Sequence, residues 1–167
     1  MQQFQEFIAF IENSGLAEAI REDDALFPLI ESVHVLAICL VVGSILAVDL
    51  RLLGMASRGR PVASVMEGVL PLTWSAFAVA AASGSLLFIS NATRYLGNEY
   101  FVAKLLLIGA AGLNMATFHA LNARRPADWA DADAPPAAAR LAGGLSIVLW
   151  IAIVACGRWI GFTMQVR

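Results

Sequence analysis

A chain of 167 residues that is 59% hydrophobic and only 14% charged, with a mean hydropathy of +0.73, is too apolar for a soluble domain of its size and reads as an integral membrane protein. The net charge of −2 supplies no basic patch, which argues against nucleic acid as a partner. Cys39 and Cys156 fall in separate apolar runs without CxxC spacing, so they read as small buried apolar residues, not as a disulfide framework or metal knuckle.

In chain order, residues 1–26 place Phe4, Phe7, Ile8 and Ile11 at helical spacing, with Gly15 as the expected stop. This is an amphipathic interfacial segment, rich in Glu and Asp with Arg21 as its one basic residue, which favours the non-cytoplasmic side. The start lacks the basic region and cleavage site of a signal peptide, so the first span is expected to insert uncleaved. Residues 27–167 form the transmembrane domain, with spans predicted at about 27–53, 70–90, 101–122 and 141–163. In span 2, Pro71 is expected in the first turn and Trp74 near the interface, and three small-xxx-small pairs (Ala78 with Ala82, Ala80 with Gly84, Ala81 with Ser85) predict close helix packing. The stretch 91–100 between spans 2 and 3 reads as a short connection, and the Pro-containing stretch 122–140 reads as the longest irregular loop. Arg51, Arg58, Arg60, Arg124, Arg125 and Arg140 lie at one side, and Arg21, Arg94 and Arg167 at the other. By the positive-inside rule the first set is cytoplasmic and both termini are outside.

That topology sorts the polar residues of the spans into two layers. Spans 1 and 3 run in the same direction, so Glu31, His34, Lys104 and Arg158 share an outer level. Ionisable groups within a span are costly and mark a site by default, and this set suits an anionic ligand such as a carboxylate or a haem propionate. Snorkelling of Lys104 and Arg158 to the interface is the plainer alternative. The inner layer is Asp49, Arg51 and His119, with Asn114 nearer mid-membrane; Asp49 and Arg51 read as a closing ion pair or cap, and Asn114 as a helix-to-helix hydrogen bond. His34 and His119 differ in depth by about 17 Å at about 1.5 Å per residue, so they cannot ligate one haem within a subunit.

The strings SVHVLAICLVVGSILAVDLRLLG, YFVAKLLLIGAAGLNMATFH and CGRWIGF resemble an uncharacterised bacterial family of four-helix membrane proteins over most of the chain, about 27–162. More distantly, a histidine followed by a glycine and Arg-Leu in span 1, with a Lys-Leu opening a later span, resembles the membrane-bound haem-binding protoporphyrinogen oxidases. That resemblance implies haem binding by a histidine and a lysine, whose matching positions are His34 and Lys104. The copper-resistance D-type proteins share the general helical plan, but no His or Met cluster stands outside the spans for copper entry.

The expectation is therefore an all-α four-transmembrane-helix bundle with an N-terminal amphipathic interfacial helix, multi-pass in the bacterial inner membrane. It would be a homo-oligomer or a subunit of a membrane complex. Its expected function is b-type haem or porphyrin binding in membrane electron transfer, with a quinone or another redox partner. His34 would ligate the iron, Glu31 would tune it, Lys104 and Arg158 would hold propionates or supply a second ligand, and His119 would mark a second site. A transporter or channel subunit for a proton, metal ion or small anion is one alternative, and a non-catalytic accessory subunit is another. A soluble cofactor enzyme is disfavoured, because there is no phosphate loop, nucleophile constellation or zinc spacing.

Overall fold

The computed structural model of the protein describes residues 2–57, 59, 61–122 and 135–165. Among these residues every regular element is a helix: α1 Gln2–Glu12, α2 Gly15–Glu22, α3 Leu26–Leu52, α4 Val62–Ser90, α5 Ala92–Leu96, α6 Glu99–Asn122 and α7 Ala137–Gln165. Four of them, α3, α4, α6 and α7, are long and apolar enough to cross a membrane. Arg58, Arg60, Arg124, Arg125 and Arg167, which carry much of the charge asymmetry, lie outside the described residues, as do positions 123–134 of the long connection.

At several ends of the long helices, side chains or glycine satisfy the free backbone groups. Asp23 opens α3 by accepting from the amides of Ala25 (2.8 Å) and Leu26 (3.1 Å), and Pro28 sits in the first turn, where no intrahelical N–H is needed. At the other end Gly54 adopts φ 71, and the Met55 amide reaches back to the Leu50 carbonyl at 2.9 Å. This is a Schellman-type stop requiring the left-handed backbone that glycine tolerates. Asn98 opens α6 by accepting from the Tyr100 and Phe101 amides at 3.0 and 3.3 Å.

Several boundaries differ from the sequence expectation. Gly15 does not stop a helix but opens α2, because the Ser14 hydroxyl caps the Ala17 amide at 3.4 Å. Helix α4 starts after Pro61, which leaves Pro71 inside the helix and not in its first turn, and Trp74 within its first half. The connection 91–100 contains α5. Residues 137–140 belong to α7, which begins directly after Pro136.

The long helices are arranged in the order α4, α3, α7, α6: α3 packs along α4 and α7, and α6 along α7. Helices α4 and α6 form no packed seam with each other. A cluster of Val48, Leu52, Val62, Val65 and Ala139 closes one end of the bundle. At the opposite end, Phe88, Tyr95 and Phe101 stack with centroids 5.2–6.3 Å apart, and α1 and α2 pack over the termini of α4 and α5. Arg21 donates to the Glu12 and Ser90 carbonyls at 2.7 and 2.8 Å, and the Glu12 carboxylate accepts from the Thr93 amide and hydroxyl at 2.9 and 2.5 Å. Helix α1 buries Ile8 and leaves Phe4, Phe7 and Phe10 exposed.

Candidate functional site

Counting along the helices gives the depth of a polar side chain, and the bundle then decides which of them meet. His34 on α3 is half-buried against α4, where its Nδ1 lies 3.0 Å from the Ser83 hydroxyl. That hydroxyl donates its single proton to a carbonyl of its own helix, Val79 at 2.6 Å or Ala80 at 3.3 Å, so its contact with His34 is completed by an imidazole proton on Nδ1; the Ala80 carbonyl also accepts from the ring. Close approach of the ring requires glycine at 84, where a Cβ would stand 2.8 Å from His34 Cε1. Lys104 on α6 reaches inward beside α7, and a Cβ at Gly157 would stand 3.7 Å from its Nζ. The Lys104 charge is felt at the His34 imidazole, although His34 packs against α4 and Lys104 lies beside α7.

Glu31, by contrast, is exposed, and its charge acts on Tyr95, whose phenol burial pushes above its ordinary range. Arg158 lies on the exposed side of α7 with its guanidinium 4.6 Å from the Phe162 ring centroid. Of the four outer-level residues, His34 and Lys104 are thus partly buried, and Glu31 and Arg158 are exposed.

At the other level, Asp49 is 5% exposed. It does not pair with Arg51, since side chains two residues apart do not face each other on a helix; the Ser146 hydroxyl of α7 meets its carboxyl group instead. Its Oδ2 is buried with no hydrogen-bond partner among the described residues. Asn114 joins helices as expected, donating to the Ala142 carbonyl at 3.0 Å, and Thr73 joins α4 to α3 by donating to Ser44 at 2.8 Å. His119 is exposed, with Nδ1 2.9 Å from the Met115 carbonyl. A carbonyl only accepts, so Nδ1 carries the proton and Nε2 keeps a lone pair. Asp49, Asn114, Ser146 and His119 line a cavity of about 330 Å3 between α4 and α6.

The sequence reading passed over Ser83, Gly84, Gly157 and Ser146 as partners of the ionisable residues. A signal existed for one: of the three small-residue pairs on span 2, only Ala80 with Gly84 faces α3, the others being exposed. Cys39 was read as buried but is exposed; both it and Cys156 are free thiols. Among the described residues no three His, Cys, Asp or Glu side chains are grouped to hold a metal ion.

These features define a four-helix protein of membrane-spanning type with two partly buried ionisable residues at one level and a partly polar cavity at another. The chain belongs to DUF6644, a family of unknown function, which matches residues 14–163. No curated protein and no solved structure matches it.

Proposed function

We propose that the protein binds a b-type haem within the membrane, with His34 Nε2 as the axial ligand and Lys104 as the neighbouring cation. The single observation that carries this reading is the His34 environment. Its Nδ1–H is held by Ser83, the outer-shell arrangement that orients a ligating histidine and raises its basicity. Glycine stands at 84, where a larger residue would crowd His34. A lone imidazole with an amine nearby suits a group whose remaining four ligands come from its own macrocycle, so the absence of a three-residue metal cluster is no obstacle. Such a group supplies one-electron transfer. The chain's own part is to fix the imidazole tautomer through Ser83 and to set a positive charge beside the ligand with Lys104. The reading draws on His34 and Lys104, which are partly buried, and not on Glu31 and Arg158, which are exposed.

The test is an absorption spectrum of the detergent-purified protein from haem-replete cells. An intense Soret band that shifts on reduction is expected, lost in His34→Ala and retained in His119→Ala. A colourless protein would overturn the proposal. A second reading, a path for a proton or small ion, draws on the separate polar level at Asp49 and Asn114. It requires colourless protein whose flux in liposomes depends on Asp49.

A further inference from the structure

The cavity between α4 and α6 is independent of His34 and Lys104. Helices α3 and α6 run in the same direction, and His34 to Asp49 and Lys104 to His119 are each fifteen residues, about 22 Å of helix rise. Asp49 and His119 therefore share a level well removed from the proposed haem ligand. The cavity volume of about 330 Å3 lies at the lower end of the range of about 300–1,000 Å3 for small-molecule sites. Because α4 and α6 do not pack together, and because Trp74, Gly112 and Met115 on the two flanking helices are exposed, the cavity opens sideways, where lipid surrounds a spanning bundle.

What it would hold follows from the groups left over. Thr73 spends its hydroxyl proton on Ser44, and Asn114 spends one of its two amide hydrogens on the Ala142 carbonyl. Two acceptors on the wall call for a donor: the buried Asp49 Oδ2, which no described residue satisfies, and His119 Nε2 at the mouth. An acyl chain would leave both unmet, and an unmet buried acceptor such as Asp49 Oδ2 is destabilising. A single alcohol would meet one. Aromatic side chains, Phe77 and Trp150 among them, line the walls and favour a flat ring by stacking or edge contact.

We propose that this cavity binds the head group of a lipid-soluble hydroquinone, with one hydroxyl donating to Asp49 and the other to His119, and the tail leaving between α4 and α6. The inference does not rest on the haem reading.

The test titrates purified protein anaerobically with a short-alkyl-chain hydroquinone and, separately, with its dimethyl ether, which has similar apolar bulk and no donors. Binding is read by equilibrium dialysis and by fluorescence of the two lining tryptophans, Trp74 and Trp150. Saturable binding at least tenfold tighter for the hydroquinone is expected. Asp49→Leu and His119→Phe should each weaken the hydroquinone about tenfold, the scale of one lost hydrogen bond, and leave the ether unchanged. Should Asp49→Leu fail to fold, Gly112→Leu serves: a Cβ there meets nothing within 4 Å, so the side chain fills the cavity without a backbone clash and should abolish binding. Equal affinity for both compounds, insensitivity to these substitutions, or no binding at all overturns the proposal. A missing Soret band alone does not.

Discussion

Gly84 decides where His34 can be. A Cβ at that position would stand 2.8 Å from the imidazole Cε1, closer than packed atoms allow, so Gly84→Ala must push the ring off α4. The expected cost is about 1–3 kcal/mol of stability, as for other overpacked sites, together with weakening of any Soret band; a thermal melt and an absorption spectrum check both. Ser83→Ala tests the same contact from the other side. It leaves Nδ1–H without its acceptor at about 1–3 kcal/mol, and the band, if present, should move or broaden instead of vanishing. The depth of these residues was legible in the sequence because helix rise is constant, which is how His34 and Lys104 came to one level. Their direction around the axis was not legible. A span facing lipid is apolar on every side, so no polar face marks its inward surface, and Glu31 and Arg158, grouped with His34 and Lys104 by depth, are exposed.

At the scale of elements, small residues set the distances between helices. A Cβ at Gly143 on α7 would stand 3.1 Å from both the Asp49 carbonyl and the Leu52 Cβ on α3. Gly143→Leu is therefore expected to separate the two helices and lower stability by at least about 1–3 kcal/mol, measured by thermal unfolding in detergent; Gly109→Leu, where a Cβ meets nothing within 4 Å, is the control. The N-terminal helices are held by a different device. Thr93, donating through its hydroxyl and amide, holds the Glu12 carboxyl below its ordinary value of 4.5 despite partial burial, with Arg21 adding to the effect. A depressed carboxylate contributes stability that is present above 4.5 and lost as pH falls through the lower folded value. Acidification below 4.5 should thus loosen α1 from α5 while the spanning helices persist, read as faster proteolysis near Asn13, and Glu12→Gln should produce much of the same loosening at neutral pH. The element boundaries were harder to read than the elements. Proline suggests an edge, but Pro71 lies within α4, as membrane-spanning helices allow.

For the whole molecule, the order α4, α3, α7, α6 leaves one side open and makes the two levels chemically different: partly buried His34 and Lys104 at one, a laterally open cavity at the other. Which level faces which side of the membrane depends on orientation, and the arginines that argued for it fall largely outside the described residues. The fold nonetheless fixes what an orientation experiment must find, because α1 and α2 pack at the His34 end, whereas the turn after α3 stands at the Asp49 end. With both native cysteines replaced by serine, Asn13→Cys and Met55→Cys place single thiols at exposed positions at these two ends. An impermeant maleimide applied to intact spheroplasts should label Asn13→Cys, and should label Met55→Cys only after permeabilisation. The reverse pattern would put His34 and Lys104 on the cytoplasmic side and the cavity on the outer side, overturning the orientation while leaving the ligand chemistry of each level as the packing defines it.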